Sequence, residues 1–132
     1  MSDITPDIDG YHAHIYYDPA ETKQVAAELR VTIEERFEMI RGRWHDEQVG
    51  PHTVSMYQVA FSNEVFAENK KRLMLNRRGL SILVHPNTGD GYEDHKTHAL
   101  WLGPQQRLNL DFLKRMQERE RAAKAEGAVT EA

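Results

Sequence analysis

Seven histidines and no cysteines occur in this chain of 132 residues. His12 and His14 stand one residue apart in Tyr11-His12-Ala13-His14-Ile15-Tyr16-Tyr17, an aromatic, alternating run that reads as a strand. Side chains alternate along a strand, so both imidazoles leave one face, about 6.6 Å apart at roughly 3.3 Å per residue. Rings so placed can converge on one cation. Taken alone, the pair also fits two ordinary half-exposed strand residues, because short ligand patterns match by accident. His85 closes an apolar run and precedes Pro86, while His95 and His98 bracket Lys96-Thr97 after Asp94. Strand ends that open onto loops are frequent places for chemistry. Without cysteine, thiol nucleophiles, zinc fingers and iron–sulfur clusters are excluded, so His, Asp and Glu must hold any metal. Neutral imidazole suits zinc, copper and iron, and non-haem Fe(II) oxygenases use two histidines and a carboxylate. Asp90, Glu93 and Asp94 are candidate carboxylates. Asp94 could instead orient His95 or His98. An all-histidine set remains open.

The elements that must position these rings follow from pattern. Asp18 and Glu21 flank Pro19 as at a helix start. Val25, Leu29, Ile33 and Phe37 then give one apolar stripe, predicting a helix from Pro19 to Phe37. Met39–His45 reads as a second strand. Thr53–Phe61 reads as a third, with Val54, Met56 and Gln58 on one face and Ser55, Tyr57 and Val59 on the other. Ser62 can cap a helix over 63–76, and Gly79 suits a left-handed stop. Leu80–Val84 reads as a buried strand, 86–97 as a polar loop, and His98–Leu102 as a short strand. Leu108–Met116 is amphipathic, and the tail from Glu118 reads as fraying or disordered. The order β-α-β-β-α-β with an appended C-terminal strand predicts an α+β, ferredoxin-like antiparallel sheet with helices on one face. The expected division is a flexible leader over 1–10, one domain over 11–116 and a polar tail over 117–132. In this topology the first and fourth strands are antiparallel neighbours. His85 then comes near His12 and His14, and the loop bearing His95 and His98 leaves from the same edge. His52, after Gly50-Pro51, belongs to the other end of the third strand and needs a long hairpin or a partner subunit to come close. His45 receives no role.

Composition narrows the function classes. The net charge is −4, with 17 basic and 21 acidic residues, so nothing favours nucleic acid as a partner. No apolar stretch approaches the roughly 20 residues of a membrane span. The N-terminus lacks the charged start and apolar run of a signal peptide, so a cytoplasmic location is expected. A small domain leaves much surface per residue, so a homodimer is expected.

Five motifs in register resemble the DOPA 4,5-dioxygenase family. They are Tyr11–Tyr17 with Asp18-Pro19, Gly50-Pro51-His52, Leu83-Val84-His85-Pro86-Asn87-Thr88-Gly89-Asp90, Asp94-His95, and His98–Gly103. The resemblance runs from about Tyr11 to Leu113. Thr53 departs from it, standing where proline follows the histidine in many relatives. The family implies a small ferredoxin-like enzyme that opens catechol rings, such as that of L-DOPA, with O2. It implies Fe(II), although another divalent metal can occupy a purified sample. The ligand set that fits it best is His12, His14 and His85. His95 and His98 are the preferred acid–base or substrate-contacting residues, and His52 is a reserve in either role. Tyr57, Trp101 and Tyr92 are candidates to line a slot for the ring, although such aromatics are usually core. Arg78 is a candidate for a substrate carboxylate. Two rivals stand beside this reading: a cofactor-free monooxygenase or isomerase on the same fold, and a ferredoxin-like dimer that binds a metal or small molecule without turnover.

Overall fold

A computed structural model describes residues 8–131 and the side chains of 8–125. Residues 1–7 of the expected leader lie outside the described residues. Strand β1 (Tyr11–Tyr16) lies at the centre of the sheet because its alternation serves two faces at once. Ala13 and Ile15 turn towards helices α1 (Lys23–Arg36) and α2 (Phe66–Asn76). His12, His14 and Tyr16 turn the other way. Strands β2 (Ile40–His45), β3 (Met56–Phe61), β4 (Ile82–Pro86) and β5 (Leu100–Leu102) complete the sheet in the order β2-β3-β1-β4-β5, with every pairing antiparallel. This is the expected ferredoxin-like α+β architecture with an appended strand.

The main core lies between sheet and helices. Leu29 and Ile33 of α1 and Leu73 of α2 meet Ala13, Ile15, Tyr57, Val59, Ile82 and Val84 of the sheet. The opposite face carries a smaller cluster of Tyr16, Met56 and Leu83, with Trp101 and Leu108 packed against it. Short helix α3 (Gly91–His95) and long helix α4 (Leu110–Glu131) follow β4 and β5.

Several boundaries move from expectation for local reasons. The first helix starts at Lys23, not Pro19. Asp18 caps a turn instead, accepting from the Ala20 amide through Oδ1 and from the Thr22 amide through its carbonyl. The 86–97 segment is not all loop, because Asp90 Oδ1 accepts from the Glu93 amide and starts α3. The expected polar tail is helical as far as Glu131, continuous with the amphipathic segment before it. Among the described residues, no helix is long and apolar enough to cross a membrane.

Tyr57, expected in the substrate slot, is fully buried on the helix side, where its hydroxyl donates to the Ala26 carbonyl at 2.9 Å. It pairs in register with Ile15, and that parity fixes its face. Tyr57→Phe is expected to cost about 0.5–1.5 kcal/mol of stability by removing this buried side-chain hydrogen bond. Oxygen uptake should stay at the wild-type level. Chemical unfolding followed by an oxygen-electrode assay checks both, and a selective loss of turnover would return Tyr57 to the site.

Candidate metal centre

The helix-free face collects histidines because β1 and β4 pair in register. His12 sits opposite His85, and His14 opposite Leu83, so all three imidazoles leave one face. His14 Nε2 and His85 Nε2 lie 3.0 Å apart, and both residues are buried. His95 comes from α3, with its ring centre 4.1 Å from that of His85. His52 arrives on the segment between β2 and β3. Gly50 turns there at φ +56°, a left-handed conformation that suits glycine. Isolated bridges to Val49 and Leu108 then hold His52 in place, with its ring centre 4.2 Å from that of His14.

Two three-histidine groups result, His12–His14–His85 and His14–His52–His95, each with ligand nitrogens within 4.8 Å of one another. His14 belongs to both. His52 therefore joins the cluster within a single chain, without a partner subunit. His98 does not join either group. Its Nδ1 lies 3.1 Å from Asp94 Oδ1, and Asp94 also accepts from the Thr88 amide and hydroxyl. Asp94 thus ties down the turn after β4, and α3 ends before His98 can reach the cluster.

Of the expected substrate contacts, Trp101 lies on the histidine side, its ring 5.8 Å from Tyr16 and nearly parallel to it. Tyr92 is half-buried on α3, with the Lys96 amine above its ring. Arg78 lies elsewhere. It precedes β4 at the end away from His85, in a left-handed conformation, and its guanidinium pairs with Glu28 of α1. Two neighbours were not foreseen. Gln58 is the cross-strand partner of His14, and the Tyr16 hydroxyl lies 2.8 Å from His52 Nδ1. Strand alternation carried a signal for Tyr16, which shares parity with both histidines of its strand.

Burial sets the electrostatics. It lowers His85 and His52 from the ordinary 6.5 to about 3, with the neighbouring His95 adding repulsion in each case. Burial likewise pushes His14 far down, and His12 and His95 down. The cluster is therefore neutral at pH 7, the form in which imidazole binds metals. His85 Nδ1 donates to the Pro86 carbonyl at 2.9 Å and His95 Nδ1 to the Gly91 carbonyl at 2.7 Å. A carbonyl only accepts, so both rings carry their proton on Nδ1 and leave an Nε2 lone pair. His14 Nδ1 is buried without a partner among the described residues. The donor set fits a metal. Two nitrogens each about 2.1 Å from one ion, at right angles, stand about 3.0 Å apart.

Comparison with known proteins agrees with this geometry. The model of the Dopa 4,5-dioxygenase family matches residues 11–112. A DOPA 4,5-dioxygenase from Amanita muscaria is 36% identical over 115 residues, which are 81% of this chain and 50% of that protein. An uncharacterised 21.2 kDa protein from Botryotinia fuckeliana is 36% identical over 123 residues, 85% of this chain and 67% of that one. The chain thus spans about half the length of the Amanita protein. A crystal structure from Nostoc punctiforme, provisionally described as a dioxygenase, superposes with a TM-score of 0.83 at 48% identity, covering 87% of this chain and 99% of the other. The family match takes in every histidine of the cluster, and on that ground the chain belongs to the Dopa 4,5-dioxygenase family, whose enzymes are dioxygenases.

Proposed function

We propose that this protein is a metal-dependent dioxygenase that opens a catechol ring, such as that of L-DOPA, by extradiol-type cleavage with O2. The observation that carries the reading is the 3.0 Å separation of His14 Nε2 and His85 Nε2, set by strand register on a buried face. His12, His14 and His85 would hold Fe(II). That ion, when bound, would acidify the catechol hydroxyls and hold diol and O2 in one geometry.

The remaining steps belong to the chain. His95 Nε2 offers a lone pair, and the Gly91 carbonyl behind Nδ1 steadies the imidazolium that forms when His95 takes a catechol proton. The same proton can return to the ring-opened product. Both O2 atoms end in that product while one ring C–C bond breaks, so no further reductant is needed. Trp101 and Tyr16 supply an apolar wall beside the cluster. His98, held by Asp94, would contact substrate only from the periphery. The working form would be a cytoplasmic homodimer, since a domain this small leaves much surface per residue.

The test is anaerobic loading with Fe(II), then addition of L-DOPA and air. A yellow ring-opened product and one O2 consumed per catechol are expected. Catechol binding without oxygen uptake would favour a binding module instead.

A further inference from the structure

We propose that Tyr16 is a positioning residue that fixes His52 as its Nε2–H tautomer, so that His52 presents a hydrogen-bond donor, not a metal ligand, to the reacting centre. The catalytic consequence rests on the reading of the site given above; the tautomer itself does not.

The inference comes from accounting for hydrogens. Tyr16 is 3% exposed, and its hydroxyl has one hydrogen to donate. Among the described residues, the only partner of that hydroxyl is His52 Nδ1, at 2.8 Å. Two arrangements fit this distance. If His52 donated from Nδ1, the buried Tyr16 hydrogen would be left without an acceptor, which buried polar groups rarely tolerate. If Tyr16 donates, Nδ1 is the acceptor and the histidine proton moves to Nε2. The second arrangement satisfies the hydroxyl and Nδ1, and leaves the Nε2–H as a donor without a partner among the described residues.

The same accounting sorts the rest of the cluster. His85 and His95 face carbonyls with Nδ1 and keep bare Nε2 atoms. His52 differs because a hydroxyl, which can donate, stands where those two have a carbonyl. His14–His52–His95 has the spacing of a ligand set. The tautomer removes His52 from it and leaves His12–His14–His85 as the set in which no hydroxyl fixes a proton on a ligand nitrogen. His95 and His52 then face the cluster as acceptor and donor respectively. The Tyr16 ring cannot turn away easily, since it is packed against Trp101, Met56 and Leu83.

The test reads the rings directly. The isotope-labelled full-length protein, without metal and with Zn(II) as a diamagnetic occupant, is examined by long-range proton–nitrogen correlation of its imidazoles. His52 is expected as Nε2–H in both samples, and His85 and His95 as Nδ1–H. A proton on His52 Nδ1 in either sample overturns the proposal. In the Fe(II) enzyme, Tyr16→Phe is expected to lower kcat about tenfold with KM within about twofold, less than the roughly hundredfold or more that outright loss of an acid–base group costs. In a His52→Gln background the amide donor no longer depends on Tyr16, so Tyr16→Phe should cost nothing further. An equal loss in both backgrounds would make Tyr16 a packing residue only. If the wild-type chain consumed no oxygen, the dioxygenase reading would fail, and the ring spectra would still decide the tautomer.

Discussion

His14→Ala is expected to abolish tight metal binding and lower ring-opening turnover by about 10³-fold or more, beyond the roughly 10–100-fold that loss of an outer hydrogen-bond partner costs. His14 is the one residue shared by both three-histidine groups, and its Nε2 faces that of His85. Its cross-strand partners, Gln58 and Leu83, offer no imidazole in its place. Stability should change little by comparison. The truncation opens a small void but removes an unpartnered buried Nδ1, so a net change of about 1–2 kcal/mol is expected. Metal content per chain, oxygen uptake and thermal melting of the metal-free protein separate these effects. Normal turnover with a full metal complement would take His14 out of the ligand set. Tyr57→Phe supplies the contrast from the other side of the same sheet, with stability changed and chemistry not.

The second large effect is acid sensitivity of the metal-free protein. His52 and His85 are held neutral to about pH 3, whereas both titrate near 6.5 in the unfolded chain. As pH falls below 6.5 the unfolded state takes up protons that the folded state refuses. Their stabilising contribution is therefore full above 6.5 and is lost progressively as pH falls towards 3. Each group removes about 1.4 kcal/mol per pH unit over that window, so the two together remove about 3 kcal/mol per unit. A domain with roughly 5–15 kcal/mol in total should then unfold well above pH 3. His12, His14 and His95 shift in the same direction and steepen the loss. Urea unfolding at half-unit steps from pH 7.5 to 5 measures the slope. A flat stability across that range would mean that the rings are charged or solvated in the fold.

Much of the fold was legible because its signals are local and repeat. The four-residue stripe of α1 and the alternation in β1 each demand one geometry, and the antiparallel pairing of β1 with β4 follows from topology. That is why alternation and topology together place His12, His14 and His85 on one face. Other parts depended on weaker cues. Asp90 and Glu93 stand three apart, a capping pattern that α3 uses, but Gly89 and Gly91 masked it as loop. Read as loop, the segment gives no fixed position for His95 and no signal that separates His98 from it. His52 depends on where a ten-residue connection folds across the sheet, and no periodicity encodes that. Tyr57 was separable by parity, since it alternates in step with Val59, but choosing which parity faces the helices needed the register with β1.

The division of β1 between two faces bears on how the protein avoids faulty copies of itself. Sliding this strand by one residue against β3 and β4 would send Ala13 and Ile15 outward and press two imidazoles into the greasy layer beneath the helices. No chain could then be sturdy yet inert through misalignment, because the same slip that dismantles the reactive cluster also ruins the packing that keeps the polypeptide folded. Cellular quality control, which detects only loose or sticky chains, would in effect be inspecting the chemistry as well.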